Sequence, residues 1–196
     1  MAGKKRRRKS RRRRRDTTAI VLRLIIVLLI LFIVGLAAWF IWHDRNLRSG
    51  VSALKKERYE EAVTCFDDSI KAGKNVSESY RGKGVALYEL KQYPEAAEAL
   101  QASLDEGGEA DGQICNLIAL SLINQEKYEE SIPWLEQGIS DDKAAEDLIR
   151  EMRYQLVFAY EKTAQWDLAK ESAESYLDDY PDDDEMTREN QFLQTR

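Results

Sequence analysis

Four short phrases recur along the chain at a nearly constant interval, and that interval limits the possible folds more than any other feature. They are Arg58-Tyr59-Glu60-Glu61-Ala62-Val63, Gln92-Tyr93-Pro94-Glu95-Ala96-Ala97, Lys127-Tyr128-Glu129-Glu130-Ser131-Ile132 and Gln165-Trp166-Asp167-Leu168-Ala169-Lys170. Their aromatic residues stand 34, 35 and 38 positions apart. A unit of that length cannot bury a face alone, so such units stack and build one continuous core along the array. Strand alternation is nearly absent and Pro and Gly are few, which makes each unit a pair of helices with short joints.

Each phrase carries the same physical logic. A helix ends, an aromatic residue covers the turn, and a small residue follows three places on: Ala62, Ala96, Ser131 or Ala169. That small residue lets the two helices of a hairpin approach closely. Phe66, Leu100 and Leu135 follow four places later, with Ala173 in the fourth unit. Gly50, Gly84 and Ala119 are matching small sites on the preceding helix, replaced by Val157 in the last unit. The expected helix pairs are 44–56 with 59–72, 77–90 with 93–105, 112–125 with 128–139, and 143–163 with 166–178. Gly107-Gly108 and Asp141-Asp142 mark joints. The extra length of the last spacing implies an early start for the fourth unit's first helix. Residues 184–193 suit a short polar capping helix.

The pattern resembles the tetratricopeptide repeat family. Tyr80, Gly84 and Ala96 match in the second unit, Gly50, Ala62 and Phe66 in the first, and Tyr160, Ala169 and Pro181 in the fourth. The third unit departs furthest, with Cys115, Ala119, Ser131 and Leu135, and with Pro133 in the first turn of its second helix. The resemblance covers roughly 44–181. It implies an all-α solenoid of about four helical hairpins over 43–181, capped by 182–196.

A second feature divides the chain. Ile20 to Trp42 is strongly apolar apart from Arg23 and Gly35, and no charge or Pro falls between Leu24 and Trp42. As a helix this run is about 34 Å long, enough to cross a hydrocarbon core of roughly 30 Å. The expected fold is therefore one transmembrane helix over 20–42 followed by the repeat domain. Residues 1–19 form a basic tail with eleven cations and one acid, Asp16. Such flanks stay cytoplasmic, which puts the repeats on the extracytoplasmic side of a cell membrane. Arg23 snorkels back to the interface, and Trp39, Phe40 and Trp42 suit the far headgroup layer. Gly35-Leu36-Ala37 offers a weak signal-peptidase site, but the apolar run continues beyond it, which favours an uncleaved anchor. No Pro or Gly run follows Trp42, so the membrane helix is expected to continue into the first repeat helix.

The net charge of −5 hides an asymmetry: residues 1–42 carry +11 and the remainder −16. The tail suits anionic lipid headgroups. An alternative makes it a cytoplasmic tether for nucleic acid or the ribosome. With one histidine, His43, His-based triads and His-rich zinc motifs are excluded. Arg81-Gly82-Lys83-Gly84 lacks phosphate-loop spacing, and Asp182 to Glu185 lacks calcium-loop spacing. Cys65 and Cys115 read as small buried hydrophobes. Asn75-Val76-Ser77 is a glycosylation sequon on a joint. No catalytic constellation, cofactor site or metal site emerges, so the expected activity is binding, not enzymatic.

In the family, the first helix of each pair lines a concave groove that takes a peptide or a partner helix. By register, that groove consists of Val51, Arg81, Val85, Tyr88, Asn116, Leu120, Tyr154 and Phe158, with Leu47, Ile123 and Gln155 nearby. The carboxylate clamp of chaperone-binding members is missing: Leu47, Val51, Gly82, Gln113 and Leu117 stand at its sites. The groove is read as apolar and aromatic, with Arg81 as its main cation. The competing reading makes several of these side chains inter-repeat core. The expected protein is a membrane-anchored scaffold that recruits a protein or peptide partner.

Overall fold

The computed structural model describes residues 21–36 and 45–196. The chain divides into two units with the boundary after Arg45. In the first unit a helix, α1, runs over residues 21–36, and its large apolar side chains are 47–65 % exposed. Among the described residues no helix is long and apolar enough to cross a membrane. The span expected over 20–42 runs at both ends into residues outside the described ones, and so do the basic tail and the expected continuity into the first repeat.

The second unit is all-α. Its helices are α2 (Arg45–Leu54), α3 (Tyr59–Lys71), α4 (Val76–Glu89), α5 (Tyr93–Asp105), α6 (Gly112–Ile123), α7 (Tyr128–Ile139), α8 (Glu146–Lys162), α9 (Trp166–Asp179) and α10 (Asp184–Leu193). Consecutive helices from α3 onward pack on one another, and α4, α6 and α8 also touch in succession. Helices α4, α6 and α8 therefore form one layer and α3, α5, α7 and α9 lie on its other side, while α10 packs on α9. The expected start of α8 at 143 is corrected to Glu146. The Asp141 carboxylate accepts the backbone N–H of Gly112 at 2.7 Å and of Lys143 at 3.0 Å, which holds 141–145 as a joint.

The turn inside each hairpin is built identically. Glu57, Lys91, Glu126 and Ala164 each lie two places before the aromatic residue of a phrase, with φ of 57–60°. Around each, the next N–H returns to a carbonyl five residues back: Arg58 to Ala53, Gln92 to Leu87, Lys127 to Leu122 and Gln165 to Tyr160, at 2.9–3.0 Å. This closes the helix with a Schellman motif, a place where glycine is ordinarily favoured. Here four side-chain-bearing residues hold it.

Close approach at small residues sets the packing. Ala62, Ala96 and Ala169 are fully buried, as is Ser131. The Phe66 ring lies between α2 and α4: a Cβ on Gly50 would stand 2.6 Å from it, and one on Gly82 2.3 Å. Leu100 fills the same slot against Gly84, at 2.5 Å. Gly82 therefore has a packing role that the register did not assign. Serines pair between neighbouring helices, Ser79 with Ser69 at 2.8 Å and Ser103 with the Ser77 carbonyl at 2.8 Å. Cys115 is buried as expected, but Cys65 is only half-buried, which corrects its reading as core.

The second and third repeats leave a recess of about 390 Å³ at their joint, lined in part by Ser77, Arg81, Gly107, Gly108 and Ile114. At the far end, Ala159, Tyr160, Ala173 and Tyr176 of the fourth repeat form one core with Met186 and Leu193 of α10.

Two opposite shifts check this architecture. Ala96→Phe overpacks a closed hairpin and lowers stability by about 1–3 kcal/mol. Glu126→Gly relieves a left-handed residue and raises it by about 0.5–1 kcal/mol, net of the entropy of glycine. Lys55→Ala, exposed, changes it little. Thermal melts followed by circular dichroism read all three.

Candidate binding groove

The repeat register sets the α2, α4, α6 and α8 side chains in columns. The first column is Leu47, Arg81, Asn116 and Tyr154; the second is Val51, Val85, Leu120 and Phe158; the third is Leu54, Tyr88, Ile123 and Glu161. The structure treats these columns differently.

The second and third columns remain accessible. Val51 is 40 % exposed, and Val85, Leu120, Phe158, Tyr88 and Ile123 are half-buried. Two aromatic pairs brace them: Tyr88 meets Tyr93 edge-on at 5.6 Å, and Phe158 meets Tyr128 edge-on at 5.7 Å. The Lys162 ammonium lies 5.0 Å from the centre of the Phe158 ring. Tyr88 on α4 has its hydroxyl pushed up by burial, then by Tyr93 and by the charge of Glu151 on α8. The α8 acid thus acts across α6 onto α4.

The first column is spent on joining repeats. Arg81 grips both oxygens of Asp111, at 2.7 and 3.2 Å, and donates to Gln113 at 3.1 Å. Asp111 also accepts the Ile114 N–H at 2.9 Å and so caps α6. Arg81 is therefore a neutralised link between α4 and α6 and not an open groove cation. Asn116 is only 6 % exposed and belongs to the interior, with its Oδ1 buried and unpartnered. Tyr154 packs edge-on against Tyr176 at 6.3 Å. Its hydroxyl is pushed up to about 12 by burial and by Glu185, Glu189 and Asp183. The register does not reveal these ties, because Asp111 and Gln113 come from the following repeat, Tyr176 from α9 and Glu185 from α10.

Acids border the apolar columns. Glu151, Asp147, Arg150, Tyr154 and Tyr176 line a shallow recess of about 330 Å³ beside α8. The Arg150 guanidinium is spoken for: Nε donates to the Tyr176 hydroxyl at 2.9 Å and Nη2 to Asp183 at 2.8 Å. The Tyr176 hydroxyl donates to the same carboxylate at 2.7 Å. Asp183 also caps α10, accepting from Glu185 and Met186. The Met186 N–H, then Arg150 and Tyr176, hold its carboxyl down at about 2. Glu151 and Glu161 escaped the sequence reading, although they share columns with Gln113 and Ile123.

Burial pushes the Cys115 thiol up to about 11, which makes it a poor nucleophile. Among the described residues no group of three acids, cysteines or histidines is placed to hold a metal ion.

Profiles of the family described as "Tetratricopeptide repeat" match residues 47–111, 112–142 and 151–183. The chain carries tetratricopeptide repeats. Its fold is close to that of YrrB, described as a tetratricopeptide-repeat protein with an unusual peptide-binding site: TM-score 0.66, 16 % identity, 74 % of this chain and 72 % of that one. It is equally close to MamA from Desulfovibrio magneticus RS-1, with TM-score 0.65, 19 % identity, and 79 % and 84 % coverage. In sequence, it is similar to the TPR repeat-containing protein YsoA of Bacillus subtilis (strain 168), 27 % identical over 100 residues. That match takes in 51 % of this chain and 30 % of YsoA, so the tetratricopeptide-repeat chain spans less than a third of this relative's length.

The Asp183 cluster gives a test. A carboxyl depressed below its ordinary value stabilises the fold above that value and loses this contribution as pH falls through the folded one. Acid melts should show α10 loosening between about pH 4 and pH 2. Asp183→Ala should abolish that phase and cost about 1 kcal/mol through the lost cap.

Proposed function

We propose that this chain is a membrane-anchored scaffold whose repeat domain captures a protein segment along the inner columns of α2, α4, α6 and α8. The observation that carries this reading is the row Val51, Val85, Leu120 and Phe158, flanked by Tyr88, left partly open to solvent on a braced surface. Apolar and aromatic side chains grouped on an accessible surface are what a partner anchors on. Acidic margins, within a part of the chain carrying −16, favour a segment whose apolar anchors have basic flanks.

The membrane part of the proposal rests on the sequence run Ile20 to Trp42 and on the exposed apolar surface of α1. The basic composition of residues 1–19 favours a cytoplasmic N-terminus, with the repeats on the opposite side of the membrane. Non-catalytic recruitment is the role that tetratricopeptide repeats generally serve, and the surface described above suits it.

A photo-crosslinking residue in place of Val85 should trap the partner in cells. Phe158→Ala combined with Leu120→Ala should then weaken capture at least roughly 30-fold, as for anchor residues at interfaces. Arg81→Gln, on the interior side of the link to Asp111, should change stability more than capture. Undiminished capture by the folded double variant would remove the groove from the proposal. Orientation is read separately. In a Cys65→Ser background, Thr195→Cys should react with a membrane-impermeant thiol reagent in intact cells; labelling only after lysis reverses the topology.

A further inference from the structure

Helix α10 is anchored by Met186 and Leu193, both fully buried in the core of the fourth repeat. Between them it presents Glu189 to Glu161 of α8. Glu161 occupies the place filled by Leu54, Tyr88 and Ile123 in the other repeats, so an acid stands where the pattern sets an apolar group. Its Oε1 is buried without a hydrogen-bond donor.

One cation acts on Glu161, the neighbouring Lys162, and its pull is outweighed by burial and by Glu189; Arg188, beside Glu189 on α10, is exposed. On α8 itself, the Lys162 ammonium lies over the Phe158 ring. Helix α6 contains no charged residue. On α7, Glu136 accepts from the Tyr160 hydroxyl at 2.7 Å. On α9, Glu174 accepts from Gln194 at 2.8 Å, and the charge of Glu171 acts on Tyr160. Asp183 is held by Arg150 and Tyr176, and Glu185 lies against the Tyr154 hydroxyl. Two adjoining carboxyls that one neighbouring ammonium only partly offsets ionise together at high cost, and one proton between them satisfies both.

We propose that Glu161 and Glu189 form a proton-dependent latch that fastens α10 to α8, closed while the two carboxyls share one proton and loosened when that proton leaves. Burial, then Glu189, push the Glu161 carboxyl up to about 7 from its ordinary 4.5. The docked helix therefore binds a proton that the released one lacks. The pair's own contribution to docking is full below about pH 4.5, falls as pH rises to about 7, and is level above it; the separate loosening through Asp183 sets in only below about pH 4. Release parts Glu185 from the Tyr154 hydroxyl at the C-terminal end of the inner face. The latch stands whether or not the inner columns hold a partner.

Hydrogen exchange of the α10 amides in the full-length chain tests this, with Glu161→Gln as the reference. Glutamine keeps the shape and donates to Glu189 at every pH. Exchange in the wild type relative to Glu161→Gln should rise on the order of 10-fold between pH 5 and pH 8, because intrinsic exchange cancels in the ratio. Amides of α4 and α5 should show no such change. A ratio independent of pH overturns the proposal. If Glu161→Gln is poorly folded, Glu189→Gln supplies the same comparison, and the same flat ratio refutes the latch.

Discussion

The repeat unit depends on how near two helices come at one small side chain. Phe66 fits only because Gly50 and Gly82 present no Cβ to it, and Leu100 fits only because Gly84 presents none. Each large side chain belongs to the outer layer and each glycine to the inner, so the same contact that closes a hairpin also joins neighbours. Packing at this density leaves no room to slide, which fixes the register of every inner helix. The columns of the groove are a result of that fixation. In the fourth repeat the geometry is reached differently: Val157 replaces the small residue and Ala173 replaces the large one, so the volume is kept while the shape is exchanged.

Much of this was legible in the sequence because the constraint is periodic. Ala62, Ala96, Ser131 and Ala169 repeat since the close approach repeats, and helix limits followed from them to within a few residues. Two things were not legible. The left-handed turns are occupied by Glu57, Lys91, Glu126 and Ala164, which carry no turn signature, and only the shared backbone geometry reveals them. The first inner column was also misjudged in part. A register assigns a direction to Arg81, Asn116 and Tyr154, but not what awaits them there. Asp111 and Gln113 come from the next repeat and Glu185 from α10, and such neighbours are matched by geometry instead of by period.

Polar side chains do a different task from the apolar ones along this array. Where an apolar residue of one helix meets a glycine of another, the contact fixes spacing. Where Arg150, Tyr176 and Asp183 converge, the contact fixes orientation, because two directional hydrogen bonds end on one carboxylate and a third joins their donors. The same carboxylate caps α10, so the placement of the last helix and the closure of the last hairpin are one event. Arg81 and Asp111 reproduce the arrangement in the middle of the array, where the acid again caps the helix that follows.

The recess between the second and third repeats gives that middle joint a character of its own. Leu100 against Ile114 and Ile118 supplies its apolar contact. The rest of the connection runs through the fork of Arg81 on Asp111 and Gln113, which is about one-third exposed on each side of the ion pair. Ions in solution screen such a pair, while they leave buried apolar contact nearly untouched. The ionic part of this joint therefore weakens as ionic strength rises, as does that of Lys83 on Asp67 one joint earlier, while the apolar part of each stays.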